Sequence, residues 1–191
     1  DADHDGDVDV LACAQGGPRI LRNDGLDGAG GLTDVEGEAH DARGIGAGWR
    51  AVSEDFDRDN DVDVLYLAPA NGGAKLASNE RGGSFSDQSE SLPRELAGGW
   101  IVPADFDGDS WPDLALVTAN AVVLHTRTAL GGWTSTPKRI PITAAPTGEP
   151  RAADLDLDGA TDLVWPLADA PAGALLAPGF ANGGVACTLG A

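Results

Sequence analysis

The chain has no methionine, only two cysteines and three histidines in 191 residues, and its 12 lysines and arginines face 31 acidic residues, for a formal net charge of −19. So small a basic share argues against nucleic acid or an anionic membrane surface as a partner, because both repel an acidic protein. No apolar run reaches the roughly 18 residues of a helical membrane span, and no signal-peptide pattern opens the sequence. Cys13 and Cys187 have no CxxC or ligand-type neighbour, so no zinc or thiol-redox site is assigned. They are either two buried thiols or a disulfide closed in an oxidising compartment. His4, His40 and His125 show no partner spacing for a catalytic triad. There is no GxxxxGK[ST] phosphate loop and no GxGxxG turn opening a helix. Helix signals are missing altogether, and the one candidate, residues 92–96, reads as a turn. With no methionine and a first residue already inside a motif, the natural start is expected to lie upstream.

What the chain does have is acidic residues in a fixed pattern. Aspartates stand at the first, third, fifth and ninth positions of four short stretches: Asp1, Asp3, Asp5 and Asp9; Asp55, Asp57, Asp59 and Asp63; Asp105, Asp107, Asp109 and Asp113; Asp154, Asp156, Asp158 and Asp162. A tight turn with this spacing points alternate carboxylates at one centre. Carboxylates gathered within a few ångströms repel one another strongly, and an oxygen-seeking divalent cation makes the arrangement favourable. Calcium, with 6 to 8 flexible oxygen ligands at about 2.3 to 2.6 Å, suits such a loop better than magnesium, which keeps its waters and wants an octahedron. The expectation is up to four Ca2+ ions, one per loop. The seventh residue, Asp7, Asp61, Trp111 or Ala160, is expected to give only its backbone carbonyl, so its side chain is free to vary. The sixth, Gly6, Asn60, Ser110 or Gly159, needs a left-handed backbone; serine is the awkward one.

An EF-hand is the rival for any Asp-x-Asp-x-Asp run, and it requires a glutamate at the twelfth position, where this chain has Ala12, Tyr66, Leu116 and Trp165. The runs after the loops, such as Val62-Asp63-Val64-Leu65-Tyr66-Leu67 and Asp113-Leu114-Ala115-Leu116-Val117, are short, apolar and rich in β-branched or aromatic residues. They predict buried strands rather than a helix.

The loops recur about every fifty residues, the signature of a repeat architecture. In the second unit, residues 48–53 lead into the loop, 62–67 lead out, and 74–77 and 84–87 follow across Gly/Asn turns. Four strands per unit make a propeller blade. In the third unit the corresponding strands are expected at 99–102, 113–117, 121–125 and 132–134. The whole chain is thus expected to be all-β, one β-propeller segment with four blades at about 1–44, 45–96, 97–146 and 147–191. The first blade lacks the strand before its loop.

The loop, the apolar strand and the Asn-x-Gly turn, carried best by Gly48-Trp49-Arg50-Ala51-Val52-Ser53-Glu54-Asp55-Phe56-Asp57 and Leu21-Arg22-Asn23-Asp24-Gly25, resemble the FG-GAP or VCBS repeats of integrin α-subunit propellers and many secreted bacterial proteins. The resemblance covers essentially the whole chain. It implies that each loop joins the first two strands of a blade and binds calcium through the aspartates already named. It also implies a ring of about seven blades, so that other blades, from the same parent chain or a second copy, are expected to cover the open faces. The family's Phe-Gly and Gly-Ala-Pro signatures are replaced here by Gly-Trp at 48–49 and 99–100 and by Ala68-Pro69.

The function these features imply is a calcium-binding extracellular or cell-surface module, secreted or periplasmic, that serves as a scaffold or as a protein- or glycan-binding surface in adhesion. The alternative is the propeller portion of a secreted carbohydrate-active lyase or hydrolase. No catalytic residue is assigned, because the carboxylates outside the loops, such as Glu54, Glu80, Glu90 and Glu149, form no pattern. Trp49, Trp100 and Trp165 fall in strands and read as packing. Trp111 and Trp133 are less constrained, and either could meet a sugar.

Overall fold

The structure, a computed structural model, describes residues 1–3, 5–14, 17–23, 25, 32–34, 49–69, 73–81, 84–142, 145–155, 157–167, 174–177 and 187–188. It is all-β: among the described residues fifteen strands form four antiparallel sheets, and helical structure is confined to short 3-10 segments, at Ser89–Ser91 and at Gly25. No described helix is long and apolar enough to cross a membrane.

The chain divides into two compact units, Asp1–Gly98 and Gly99–Ala191. The first holds a three-stranded sheet of β1 (Val10–Ala14), β2 (Gly17–Asn23) and β3 (Leu32–Asp34), and a four-stranded sheet of β4 (Arg50–Glu54), β5 (Asp63–Leu67), β6 (Ala74–Asn79) and β7 (Phe85–Asp87). The second holds β8 (Trp100–Ala104), β9 (Asp113–Val117), β10 (Ala121–His125) and β11 (Lys138–Pro141), then β12 (Arg151–Ala153), β13 (Asp162–Pro166), β14 (Ala174–Ala177) and β15 (Cys187–Thr188). In every sheet each strand pairs with its neighbour in sequence, so each is a simple meander.

The sequence explains which strands lie inside. Every residue of β5, β9 and β10 is buried, as their continuous apolar runs require of strands covered on both faces. Of the outer strands, β4 is partly exposed and β11 largely so, and Pro103 lies in β8, an edge strand, where a missing N–H costs least. Before β8 the chain needs glycine, since a Cβ on Gly99 would sit 2.6 Å from the carbonyl oxygen of Val117.

Each unit has its own core. In the first, Val64, Tyr66 and Ala77 are buried, with Leu11, Cys13, Trp49, Ala51 and Phe85 packed around them. In the second, Val102, Phe106, Val117, Val122, Leu163 and Trp165 are buried together and Trp100 packs against them. The strand tryptophans therefore pack rather than bind. His125 is buried in β10, and His4 and His40 lie outside the described residues. Cys13 is a free, half-buried thiol whose pKa burial pushes up, and the side chain of Cys187 lies outside the described residues.

The third sheet corrects one expectation. Its fourth strand is Lys138–Pro141, paired with β10 from Ala121↔Pro141 to Leu124↔Lys138, not 132–134. Trp133 instead makes an isolated bridge with Arg127 in the hairpin that precedes β11.

Candidate metal centre

Each acidic loop ends where a strand begins, buried in β5, β9 and most of β13 but not in β1, whose Val10 is exposed and whose next three residues are half-buried, and the same backbone scaffold is built in all four. The first aspartate accepts the N–H of the sixth residue: Gly6 to Asp1 at 3.2 Å, Asn60 to Asp55 at 3.0 Å, Ser110 to Asp105 at 2.9 Å and Gly159 to Asp154 at 3.0 Å. The fifth accepts the N–H of the seventh: Asp7 to Asp5, Asp61 to Asp59, Trp111 to Asp109 and Ala160 to Asp158, all at 2.8 to 2.9 Å. Asp3, Asp57 and Asp107 accept the N–H two residues on, at 3.2 to 3.3 Å. These bonds from short side chains to nearby backbone N–H groups hold a tight turn.

The turn needs two left-handed residues, not one. The sixth position is at φ 94° for Gly6, 71° for Asn60, 70° for Ser110 and 87° for Gly159, as expected, with Ser110 adopting the conformation that glycine takes freely. The fourth position is left-handed as well, at φ 65° for Arg58, 82° for Gly108 and 64° for Leu157.

The ninth aspartate does more than close the loop. One of its oxygens accepts the N–H of the second loop residue: Ala2 to Asp9 at 2.6 Å, Phe56 to Asp63 at 2.9 Å, Phe106 to Asp113 at 3.0 Å and Leu155 to Asp162 at 3.0 Å. The other accepts an N–H from the far end of the sheet's next hairpin: Asn23 to Asp9 at 2.8 Å, Asn79 to Asp63 at 2.8 Å and Arg127 to Asp113 at 2.7 Å. Loop and hairpin are thereby tied at one buried carboxylate; Asp63, Asp113 and Asp162 are at most 1% exposed. Phe56 and Phe106 are buried beneath their loops, 1% and 2% exposed, whereas Leu155 at the same position is 47% exposed.

Carboxylate oxygens converge in three of the loops. Those of Asp1, Asp3 and Asp5, of Asp55, Asp57 and Asp63, and of Asp105, Asp107 and Asp113 each lie within 4.8 Å of one another. Two oxygens on opposite sides of one calcium ion at about 2.4 Å are separated by about 4.8 Å, so these triads fit around a shared ion. The donors are all oxygen, which suits a hard cation rather than zinc or copper. Asp9, Asp59 and Asp109, predicted ligands as well, stand outside the triads. In the fourth loop Asp154, Asp158 and Asp162 are placed as in the others, and Asp156 lies outside the described residues. Asp7, Asp61, Trp111 and Ala160 enter their loops through the N–H groups named above.

Among the described residues, Arg22, Arg81 and Ser78 approach the loops from the neighbouring hairpins, and nothing in the loop motif itself points to them. Arg22 lies 3.4 Å from Asp3, Arg81 lies 2.9 Å from Asp61, and the Ser78 hydroxyl donates to Asp57 at 3.4 Å. Arg127 stacks over the rings of Trp111 and Trp133, 5.4 and 5.3 Å from their centroids. The signal for Arg81 was Asp61 itself, a carboxylate at the one loop position that needs none.

Burial pushes the carboxyls of Asp63 and Asp113 up to about 6, against the pull of two N–H donors each and with help from the neighbouring loop aspartates. Asp57 and Asp107 are raised for the same first reason, then by their acidic neighbours. In the unfolded chain an aspartate titrates near 3.9. The folded, metal-free protein therefore holds these protons more tightly than the unfolded one. The stability this gives is fully present below about pH 4 and is lost as pH rises through about 6, at about 3 kcal/mol for each of the two groups. In chelator the melting temperature is expected to be higher at pH 5 than at pH 7.5. A calcium ion bound there would compete with the proton for the same oxygens, so with calcium the order is expected to reverse; thermal melts at the two pH values check both.

A family model for the FG-GAP-like repeat matches the chain twice, over residues 55–116 and 105–165, each match running from one acidic loop to the strand after the next. Among solved structures, a lectin of Agrocybe aegerita, determined for its specific recognition of non-reducing terminal N-acetylglucosamine, shares the fold with a TM-score of 0.62 at 20% identity. The likeness covers 100% of this chain and 50% of the lectin, so the chain spans half of that protein's length. A comparison with curated proteins returned no match.

Proposed function

The chain belongs to the FG-GAP-like repeat family, and from that premise we propose that it is a calcium-stabilised β-propeller module that acts outside the cytoplasm as a scaffold presenting a protein- or glycan-binding surface. The observation that carries the reading is the convergence of three carboxylates in each of three loops, on a hydrogen-bond scaffold repeated in all four. Asp1, Asp3, Asp5 and Asp9 and their counterparts in the other loops would hold the ions, with the seventh-residue carbonyls completing each cage. The bound ion supplies positive charge where the fold concentrates negative charge; the ninth aspartate carries that effect to the adjacent hairpin.

Further blades, from the same parent chain or a second copy, complete the ring in this proposal. Support comes from the length of the lectin, which this chain covers by half, and from the need of stacked repeats for neighbours on both faces. Val10 and Leu32 of the first sheet are 42% and 50% exposed, as a face awaiting a neighbour requires. The extracellular setting follows from the metal, since weak calcium loops fill where free calcium is about 1 mM.

The experiment is a glycan array, with terminal N-acetylglucosamine glycans included, and a protein pull-down from extracellular fluid, each run in calcium and in chelator. Binding that requires calcium is expected. Binding indifferent to calcium contradicts the proposal, and release of new reducing ends from a polysaccharide transfers the chain to the enzymatic alternative.

A further inference from the structure

The loops differ in charge, and the difference is answered from outside them. The seventh residue is Asp61 in loop 55–63, but Trp111 and Ala160 in loops 105–113 and 154–162. A calcium loop uses this residue through its backbone, so the Asp61 side chain is a fifth carboxylate in its loop that the ion does not require. It is also completely buried, at 0% exposure. The cation that answers it is Arg81, from the turn after β6, whose Nε lies 2.9 Å from Oδ2 and 3.3 Å from Oδ1 of Asp61 while Nη2 donates to the Asp59 carbonyl at 2.9 Å.

Arg81 is aimed by its surroundings. Its backbone is left-handed, at φ 68°, and its N–H donates to Oδ1 of Asn79 at 3.1 Å. The N–H of Asn79 in turn donates to Asp63, the ninth loop residue, at 2.8 Å. A chain of hydrogen bonds thus runs from Asp63 through Asn79 and Arg81 to Asp61, in the same loop. The third sheet provides the contrast. There Arg127 donates its N–H to Asp113 and lays its guanidinium over the Trp111 ring, so a cation again meets the seventh residue, but no carboxylate is there to neutralise.

We infer that Arg81 is a built-in counter-ion that takes Asp61 out of the charge seen by the metal, setting the calcium affinity of loop 55–63 to that of a four-carboxylate loop. This rests on the calcium reading proposed above. Guanidinium does not lose its proton in proteins, so the compensation persists at every pH the protein meets. Removing the arginine leaves a buried carboxylate beside four others, a situation that an added cation relieves. Removing the aspartate instead leaves a cation that repels the ion. The two changes therefore shift calcium binding in opposite directions, which simple loss of packing does not do.

The test is hydrogen exchange of the peptide covering residues 55–63 as a function of free calcium, with the peptide covering 105–113 as internal reference, in the wild type, Arg81→Met, Asp61→Asn and the double variant. Methionine keeps the aliphatic stem, and asparagine keeps the size. Arg81→Met is expected to move the protection midpoint of 55–63 to about tenfold lower calcium and to lower the melting temperature in chelator. Asp61→Asn is expected to move the midpoint about tenfold higher, and the double variant to fall within about threefold of wild type, with the 105–113 midpoint unmoved throughout. Arg81→Met and Asp61→Asn shifting in the same direction, or Arg81→Met leaving the midpoint in place, overturns the inference alone. A wild type that calcium does not protect removes its premise, and the inference with it.

Discussion

Chelating calcium is expected to lower the melting temperature of this protein by about 20 to 40 °C. A site of about 10 μM affinity in about 1 mM calcium stabilises the folded state by roughly 2.7 kcal/mol, and four such sites by about 11 kcal/mol. That is of the order of a whole domain's net stability, and each kcal/mol moves the transition by about 2 to 4 °C in a chain of this size. The structural reason is that the folded chain brings the oxygens of Asp55, Asp57 and Asp63, and those of Asp105, Asp107 and Asp113, within 4.8 Å, whereas the unfolded chain lets them part. An ion held there would therefore bind the folded state selectively. A melt that is the same in calcium and in chelator contradicts the proposal.

The second large effect is expected from Asp113→Ala. This carboxylate, 0% exposed, accepts N–H bonds from Phe106 and Arg127, so its loss leaves two backbone donors without their partner and also removes one oxygen from the carboxylate triad. Unmet buried donors cost about 1 to 3 kcal/mol each. Asp113→Ala is expected to lose roughly 3 to 5 kcal/mol by denaturant unfolding in calcium and to keep a substantial part of that loss in chelator. Asp109→Ala is the comparison. Asp109 is exposed and accepts the single N–H of Trp111, so in chelator its variant is expected to unfold close to wild type. If the two variants behave alike in chelator, the ninth aspartate is a ligand only and does not tie the loop to the hairpin.

Much of this architecture was legible in the residues, for identifiable reasons. Strands β5, β9 and β10 are buried on both faces and so appear as uninterrupted apolar runs. The aspartate spacing marks the loops because turn geometry and cation chemistry both constrain it, and the left-handed sixth position follows from Gly6, Asn60 and Gly159. What stayed hidden depends on contacts distant in sequence. Strand β11, Lys-Arg-Ile-Pro, is a mostly exposed edge with no apolar alternation; pairing with β10 defines it, while Trp133 drew attention to a stretch that forms only a bridge. The second role of Asp63 requires Asn79, sixteen residues on, and the partner of Asp61 is twenty residues on. Neither pairing has a periodicity to betray it. The left-handed fourth position was masked by Arg58 and Leu157, side chains that give no hint of such a backbone.

The most direct measurement is native mass spectrometry of the chain after equilibration with calcium, which counts the ions without assuming what they do. A 19.4 kDa chain carrying up to four calcium ions is expected, one of which is lost when Asp105, Asp107 and Asp113 are replaced together by asparagine. A chain that retains no calcium under these conditions, or an ion count that the triple replacement leaves unchanged, contradicts the proposal.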